Sequence, residues 1–291
     1  MQETADLSAG WPELSLRYGI LSDTRIAANI LVRSAVFSTL DYAGGAVRPV
    51  VTEAIPLATI APYMIGQVAG VRLSQSDADL FYWLLSRVYR DGVPKNGHAY
   101  VFFKRGEALS ALGRARGGKT DVLLDESLMR LCEAKFVYEM PGRVDKFRLL
   151  SSVERFEDGD KPYDYRVTVS DSVAALLDDG EWLLLGKDRQ RLASDSLAKG
   201  LHAFYASHQT IFPMLPATLK RLMGRNSMQD SKWRHALEKA LARVQEVTGW
   251  FRCELVKAGD NQGKVVVIKG ARAGYPRRTK KVLDAPEIDT Q

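Results

Sequence analysis

The chain has 291 residues, 46% hydrophobic and 26% charged, with a net charge of +6. That is ordinary globular usage, and length enough for two domains that each bury a core. No run approaches the ~20 apolar residues of a membrane span, the N-terminal MQETADLSAGWPEL lacks a signal-peptide apolar run, and Cys132 and Cys253 show no CxxC spacing. A membrane protein, a disulfide scaffold and a cysteine-ligated metal site are thereby excluded, and a cytoplasmic home with polyanionic partners is expected.

The first 70 residues read as a mixed segment of short elements. Val32–Leu40 fits a short helix or strand, and Pro49, Pro56 and Pro62 break up the stretch beyond it. Ser76-Asp77-Ala78-Asp79 has the form of a capping box. It opens an amphipathic helix with Leu80, Phe81, Leu84, Leu85 and Val88 on one face. The apolar strand AYVFF (99–103) comes next, then a short helix from Gly106 to Leu112, a break at Gly113 and a helix from about Gly118 to Ala134. FVYEM and KFRLL flank Pro141-Gly142 and read as a hairpin. DYRVTV and EWLLL, around a short DSVAALL helix, read as strands that join this unit to the next.

The second half repeats the order. Leu192–His208 reads as a helix with Leu197, Leu201, Phe204 and Tyr205 buried, TIFP stands where the strand stood, and Pro216 opens a short helix to Met223. Gly224 breaks it, a helix runs from about Met228 to Thr248, and FRCELV and KVVVIK form a hairpin across KAGDNQG. Phe251, Cys253 and Leu255 alternate with Arg252 and Glu254, the pattern of a half-buried strand. Both breaks end in Gly-Arg, at Gly113-Arg114 and Gly224-Arg225. Two helices joined by a glycine turn and followed by a hairpin describe a winged helix-turn-helix. The expected fold is therefore α+β with tandem winged helix-turn-helix domains: an N-terminal segment 1–70, a first winged-helix domain with linking strands 71–187, a second 188–270 and a basic tail 271–291.

GRARGGKT (113–120) matches the P-loop pattern G-x-x-x-x-G-K-[ST]. A P-loop needs an apolar strand ending at its first glycine, and here RGEALSAL reads as helix while AYVFF ends nearly ten residues early. The triphosphatase reading also lacks a magnesium-binding acid at a strand end. As a turn between helices, the stretch places Arg114, Arg116 and Lys119 at a helix N-terminus, where phosphate is favoured. In the second unit, Ser227 and Asp230 have capping-box spacing, and Trp233, Leu237, Ala240, Leu241 and Val244 make the buried stripe. Arg225, Asn226, Ser227, Gln229, Ser231, Lys232, His235 and Lys239 are then the candidate contacts to DNA, with partners on base edges and phosphates. Lys264 and Lys269 lie in a stretch from Gly263 to Val282 without an acid, suited to phosphate contacts.

The stretches VRSAVF (32–37), GVRLSQSDADLFYWLL (70–85), FKRGEALSALG (103–113) and FPMLPATLKRLMG through SKWRHALEKALARVQ resemble the TrfA-type plasmid replication initiators, within the two-winged-helix Rep proteins. The resemblance spans about residues 30–270. It implies binding to repeated origin sites (iterons) in double-stranded DNA and opening of A·T-rich DNA to single strands. It also implies engagement of the host replicative helicase and host initiator, and a homodimer in equilibrium with monomer. Members can carry a sliding-clamp motif Q-L-[SD]-L-F; Glu13-Leu14-Ser15-Leu16-Arg17 keeps Leu14 and Leu16 but lacks the Gln and the aromatic. The alternatives are a winged-helix plasmid repressor and a P-loop ATPase. His98, His202, His208 and His235 are too scattered for a metal site. No nucleophile–base pair stands out either, so no enzyme, catalytic residue, metal or cofactor is expected.

Overall fold

In the computed structural model, residues 10–14, 23–42, 47–60, 63–91, 98–140, 143–157 and 161–270 are described. The N-terminal part holds β1 (Arg25–Ala28), α1 (Asn29–Val32), β2 (Phe37–Ser38), β3 (Val50–Val51), β4 (Ile55–Leu57), β5 (Met64–Val71) and β6 (Leu73–Ser74). A first helical unit comes next: α2 (Gln75–Asp91), β7 (Ala99–Phe103), α3 (Arg105–Ala111), α4 (Gly118–Glu133), β8 (Lys135–Met140), β9 (Arg143–Arg148), β10 (Leu150–Arg155) and β11 (Tyr165–Val169). A 3₁₀ helix (Asp171–Gly180), β12 (Trp182–Leu185) and α5 (Lys187–Arg191) lead to the second unit. That unit comprises α6 (Ser196–Ala206), α7 (Pro216–Leu222), α8 (Asp230–Thr248), β13 (Arg252–Leu255) and β14 (Val265–Ile268). The fold is α+β: the sheets are antiparallel, apart from the short parallel pair of β2 with β6, and do not alternate with helices in βαβ fashion.

Helix α2 is the spine of the first core. Leu80, Phe81, Leu84, Leu85 and Val88 are all buried, as their spacing requires. Its cap sits two residues earlier than the Ser76–Asp79 spacing indicates. The Asp77 carboxylate accepts from the Ser74 backbone N–H at 2.9 Å and from Ser74 Oγ at 3.0 Å. Asp77 is fully buried and also receives Ser127 Oγ, Arg48 and Arg130. Burial alone raises its carboxyl pKa, but Arg130, Arg48 and the hydrogen bonds outweigh that and hold it below the ordinary carboxylate range. Asp79 faces the other way. Arg189 Nε and Lys199 Nζ each reach it at 2.7 Å, tying α2 to α5 and α6.

The strands depart from the sequence reading in their partners. The hairpin across Pro141-Gly142 forms, with β8 antiparallel to β9, but β8 also pairs with β5 of the N-terminal part. The strand β7 pairs instead with β11, and β11 with β10, so the hairpin that closes on the first unit is β10–β11. DYRVTV and EWLLL are thus not linkers: the first supplies β11, and the second supplies β12, which pairs with β1. Val32–Leu40 resolves into the end of α1, a turn and β2. The first core runs from Trp11 to Ala203, with Leu14 packed at its edge.

The second core gathers Leu192 through Val267. Here the helix expected over 192–208 is shorter, because Ala193 adopts φ 49° and Asp195 caps α6 by accepting from the Ala198 N–H. TIFP contributes no strand; the next residue makes only a bridge, Met214 N–H donating to Val265 O at 3.0 Å and Met214 O accepting from Val265 N–H at 2.7 Å. Cys253 packs in this core, where burial pushes its thiol up to about 12, and Phe251 stands outside β13, exposed. Cys132 is half-buried, and both thiols are free.

The two helix breaks are the same motif. Gly113 and Gly224 adopt φ 67° and 68°, the left-handed region that glycine alone enters without strain. Arg114 N–H donates to Leu109 O and Gly113 N–H to Ser110 O, while Arg225 N–H donates to Lys220 O and Gly224 N–H to Arg221 O. Each is a Schellman cap closing α3 or α7, which explains the glycine at both breaks.

Candidate nucleic-acid interface

Helix α8 is held by its apolar stripe. Trp233, Leu237, Ala240, Leu241 and Val244 are buried, and Trp233 Nε1 donates to Pro216 O at 2.9 Å, seating α8 on the start of α7. Its other face is left to solvent. Asn226, Ser227, Gln229, Ser231, Lys232, His235 and Lys239 lie at least partly exposed, and they gather on the turn before α8 and its N-terminal half. Ser227 does not cap the helix: Gln229 holds the cap position without a side-chain bond, and Asp230 instead accepts from Lys220 at 2.7 Å. The pairing neutralises the acid nearest to the polar face. Glu238 lies 3.8 Å from Lys257, so the second acid on this side also has a cation beside it. Exposed Arg234 extends the basic face; its position three residues after Ser231 was the available sequence signal.

Two residues assigned to DNA from sequence are engaged elsewhere. Arg225 turns inward, its Nε donating to Thr39 Oγ1 at 2.9 Å and Nη2 to Thr39 O at 2.6 Å, and burial pulls its pKa down. Lys269 donates to the carbonyls of Tyr205 and His208 at the end of α6, and burial lowers its pKa too. Lys264 is partly exposed where the chain re-enters β14, beside the turn 256–263. The basic residues of 271–291 lie outside the described residues, as does Leu16.

The first unit carries a different surface. Residues 113–117 join α3 to α4, so the stretch with the P-loop pattern comes after a helix and not a strand. Thr120 Oγ1, which would bind magnesium in a P-loop, lies 2.8 Å from both Ala115 O and Gly117 O, which can accept its hydrogen bond. Arg116 and Lys119 are exposed and Arg114 partly so, with the Arg116 guanidinium lying over Gly106. Beyond them, α4 turns Val122 (55% exposed), Leu123 and Met129 outward. Glu126 and Glu133 share that surface. Base edges and phosphates have little to gain from such a face.

The arrangement has known counterparts. Its fold is that of RctB domains 2 and 3. A crystal structure of those domains matches with a TM-score of 0.53 at 16% identity, covering 84% of this chain and 97% of that one. A structure of selenomethionine derivatives of the same two domains gives 0.54 at 16%, covering 82% and 94%. No family model and no curated protein matches the sequence. Among the described residues no helix is long and apolar enough to cross a membrane.

Proposed function

We propose that this chain is a non-enzymatic initiator of plasmid replication, built on two winged helices, that binds repeated sequences in double-stranded origin DNA. The observation that carries the reading is the exposed polar and basic face at the start of α8, with both neighbouring acids beside lysines. In a winged helix this half of the third helix enters the major groove, where Asn, Gln, Ser and Lys meet base edges. The turn 256–263 and Lys264 act as its wing on the flanking phosphates. Arg116 and Lys119 of the first unit hold the backbone further along, supplying affinity without sequence choice. The likeness to RctB, a replication initiator, supports the same reading.

As in TrfA-type initiators, the repeats are iterons, and binding energy opens the A·T-rich DNA without triphosphate hydrolysis. The host helicase and host initiator are then engaged, the chain passes between dimer and monomer, and Leu14 and Leu16 offer a reduced clamp motif. The test is binding of purified protein to duplexes it enriches from a random-sequence pool, compared with random duplex. Lys232→Ala and His235→Ala should weaken the enriched sites far more than random DNA. Equal loss on both would reduce α8 to a phosphate contact. A plasmid carrying only this gene and its adjacent repeats should replicate; a repressor would bind the same repeats and fail to support replication.

A further inference from the structure

We infer that Thr39, far from α8 in sequence, is a positioning residue for that helix, acting through the turn that launches it. The inference rests on α8 being the DNA reader. The turn between α7 and α8 is fastened from outside its own unit, by the segment that leaves β2. Thr39 N–H donates to Met223 O at 3.0 Å and Thr39 Oγ1 to the same carbonyl at 2.9 Å. Arg225 returns the contact, donating to Thr39 Oγ1 and Thr39 O. Carbonyls at a helix end lack partners within the helix, so these bonds complete the end of α7 and fix where the chain starts toward α8.

Packing at the same point is close. A Cβ on Gly200 of α6 would lie 2.5 Å from Thr39 Cγ2 and 2.9 Å from Met223 Sδ, and one on Gly224 would lie 2.7 Å from Ser38 Oγ. Thr39 itself is 0% exposed. One residue before it, Ser38 pairs in parallel with Ser74, whose N–H is bonded to Asp77 at the start of α2. The framework of the first unit therefore reaches the reading turn within two residues. Arg189 reinforces the join, bonding Gln75 Oε1 at 3.0 Å while Gln75 Nε2 donates to Phe37 O at 2.7 Å. Base readout tolerates little misplacement, whereas phosphate contact through flexible lysines tolerates more. Loosening this strap therefore lowers sequence discrimination before it lowers general DNA affinity.

The experiment compares full-length wild type, Thr39→Val, which keeps the shape and loses the hydroxyl, and Thr39→Ser, which keeps the hydroxyl. Each is titrated with a duplex that wild type enriches from a random pool and with random duplex. Amide hydrogen exchange over 223–232 is measured without DNA. Thr39→Val should bind the enriched duplex about three- to tenfold more weakly, as expected for one or two lost hydrogen bonds. It should bind random duplex within about twofold of wild type and exchange faster over the turn. Thr39→Ser should restore both readouts. Unchanged binding of both duplexes, or equal loss on both, overturns the inference and leaves Thr39 a packing residue. If wild type enriches no sequence at all, the reading of α8 fails and the inference with it. The exchange data would then show separately whether the strap fastens the turn.

Discussion

The helix in third place of each unit shows solvent a different chemistry. On α8 the outward residues at the leading end are Ser231, Lys232, Arg234 and His235; on α4 Lys119 stands at the start, and the outward residues that follow are Val122, Leu123, Glu126 and Met129. The turns ahead of them are the same Schellman cap, and in both units the strand or bridge ahead of the short helix pairs with the last strand of the closing hairpin. Where the units differ is in support. The first has a five-residue strand at β7 and a hairpin inserted before its closing one, whereas the second has a single bridge at Met214 and goes from α8 directly into β13–β14. A repeated backbone plan therefore does not imply a repeated function. The plan fixes where the third helix points, and its outer residues, which the core does not constrain, set what it meets.

The comparison can be broken most strongly at the join between the units. Asp79→Ala would leave Arg189 and Lys199 without the carboxylate they share at that join, and, within the first unit, Asp77→Ala would leave Arg48 and Arg130 without a fully buried one. Either should cost about 3–5 kcal/mol in urea unfolding. Burial raises the Asp79 carboxyl, but Arg189 and Lys199 outweigh it, so its folded pKa, like that of Asp77, lies below the ordinary carboxylate range. The stability both provide is fully present above about pH 4, the unfolded carboxylate range, and is lost as pH falls through the depressed folded values. Acid unfolding monitored by circular dichroism should show this in wild type, with a weaker pH dependence in Asp79→Asn.

Next come the two turns. Gly113→Ala should cost about 1–2 kcal/mol for the left-handed backbone alone, since among the described residues nothing lies within 4 Å of its Cβ position. Gly224→Ala adds a collision with Ser38 and should cost about 2–4 kcal/mol. Equal thermal shifts for the pair would mean the strap does not press on the second turn. At the surface, Lys232→Ala should lose about 1–3 kcal/mol on enriched duplex in a binding titration. Met129→Ala on the matching face of the first unit should change DNA binding by less than about twofold. The smallest effect is expected for Lys119→Ala, which should lower the salt slope of binding by about one for all sequences alike. Loss of tight ATP binding in that variant would instead restore the P-loop reading.

Much of the local plan is legible in the residues. The buried stripes of α2 and α8 come from helical spacing, and the Gly-Arg breaks mark both turns because only glycine takes that backbone angle cheaply. The hairpins across Pro141-Gly142 and KAGDNQG are equally local. Legibility stops at pairing between distant segments. FVYEM alternates in the same way whether it stands alone with β9 or adds β5 to the sheet, and DYRVTV gives no sign that its partner is AYVFF, over sixty positions earlier. The exposed candidates Ser231, Lys232 and His235 were readable because a buried stripe defines the opposite face. Arg225 and Lys269 were not, because an arginine or lysine reads as a surface cation until a carbonyl from elsewhere receives it.

The sequence by itself determined the long helices, the two turns and the face that α8 leaves to solvent, since each depends on residues within a few positions of one another. Only the tertiary structure decided that the N-terminal strands belong to the first core and that Thr39 grips Arg225. Those outcomes rest on contacts between residues far apart in the chain, and no local pattern carries them.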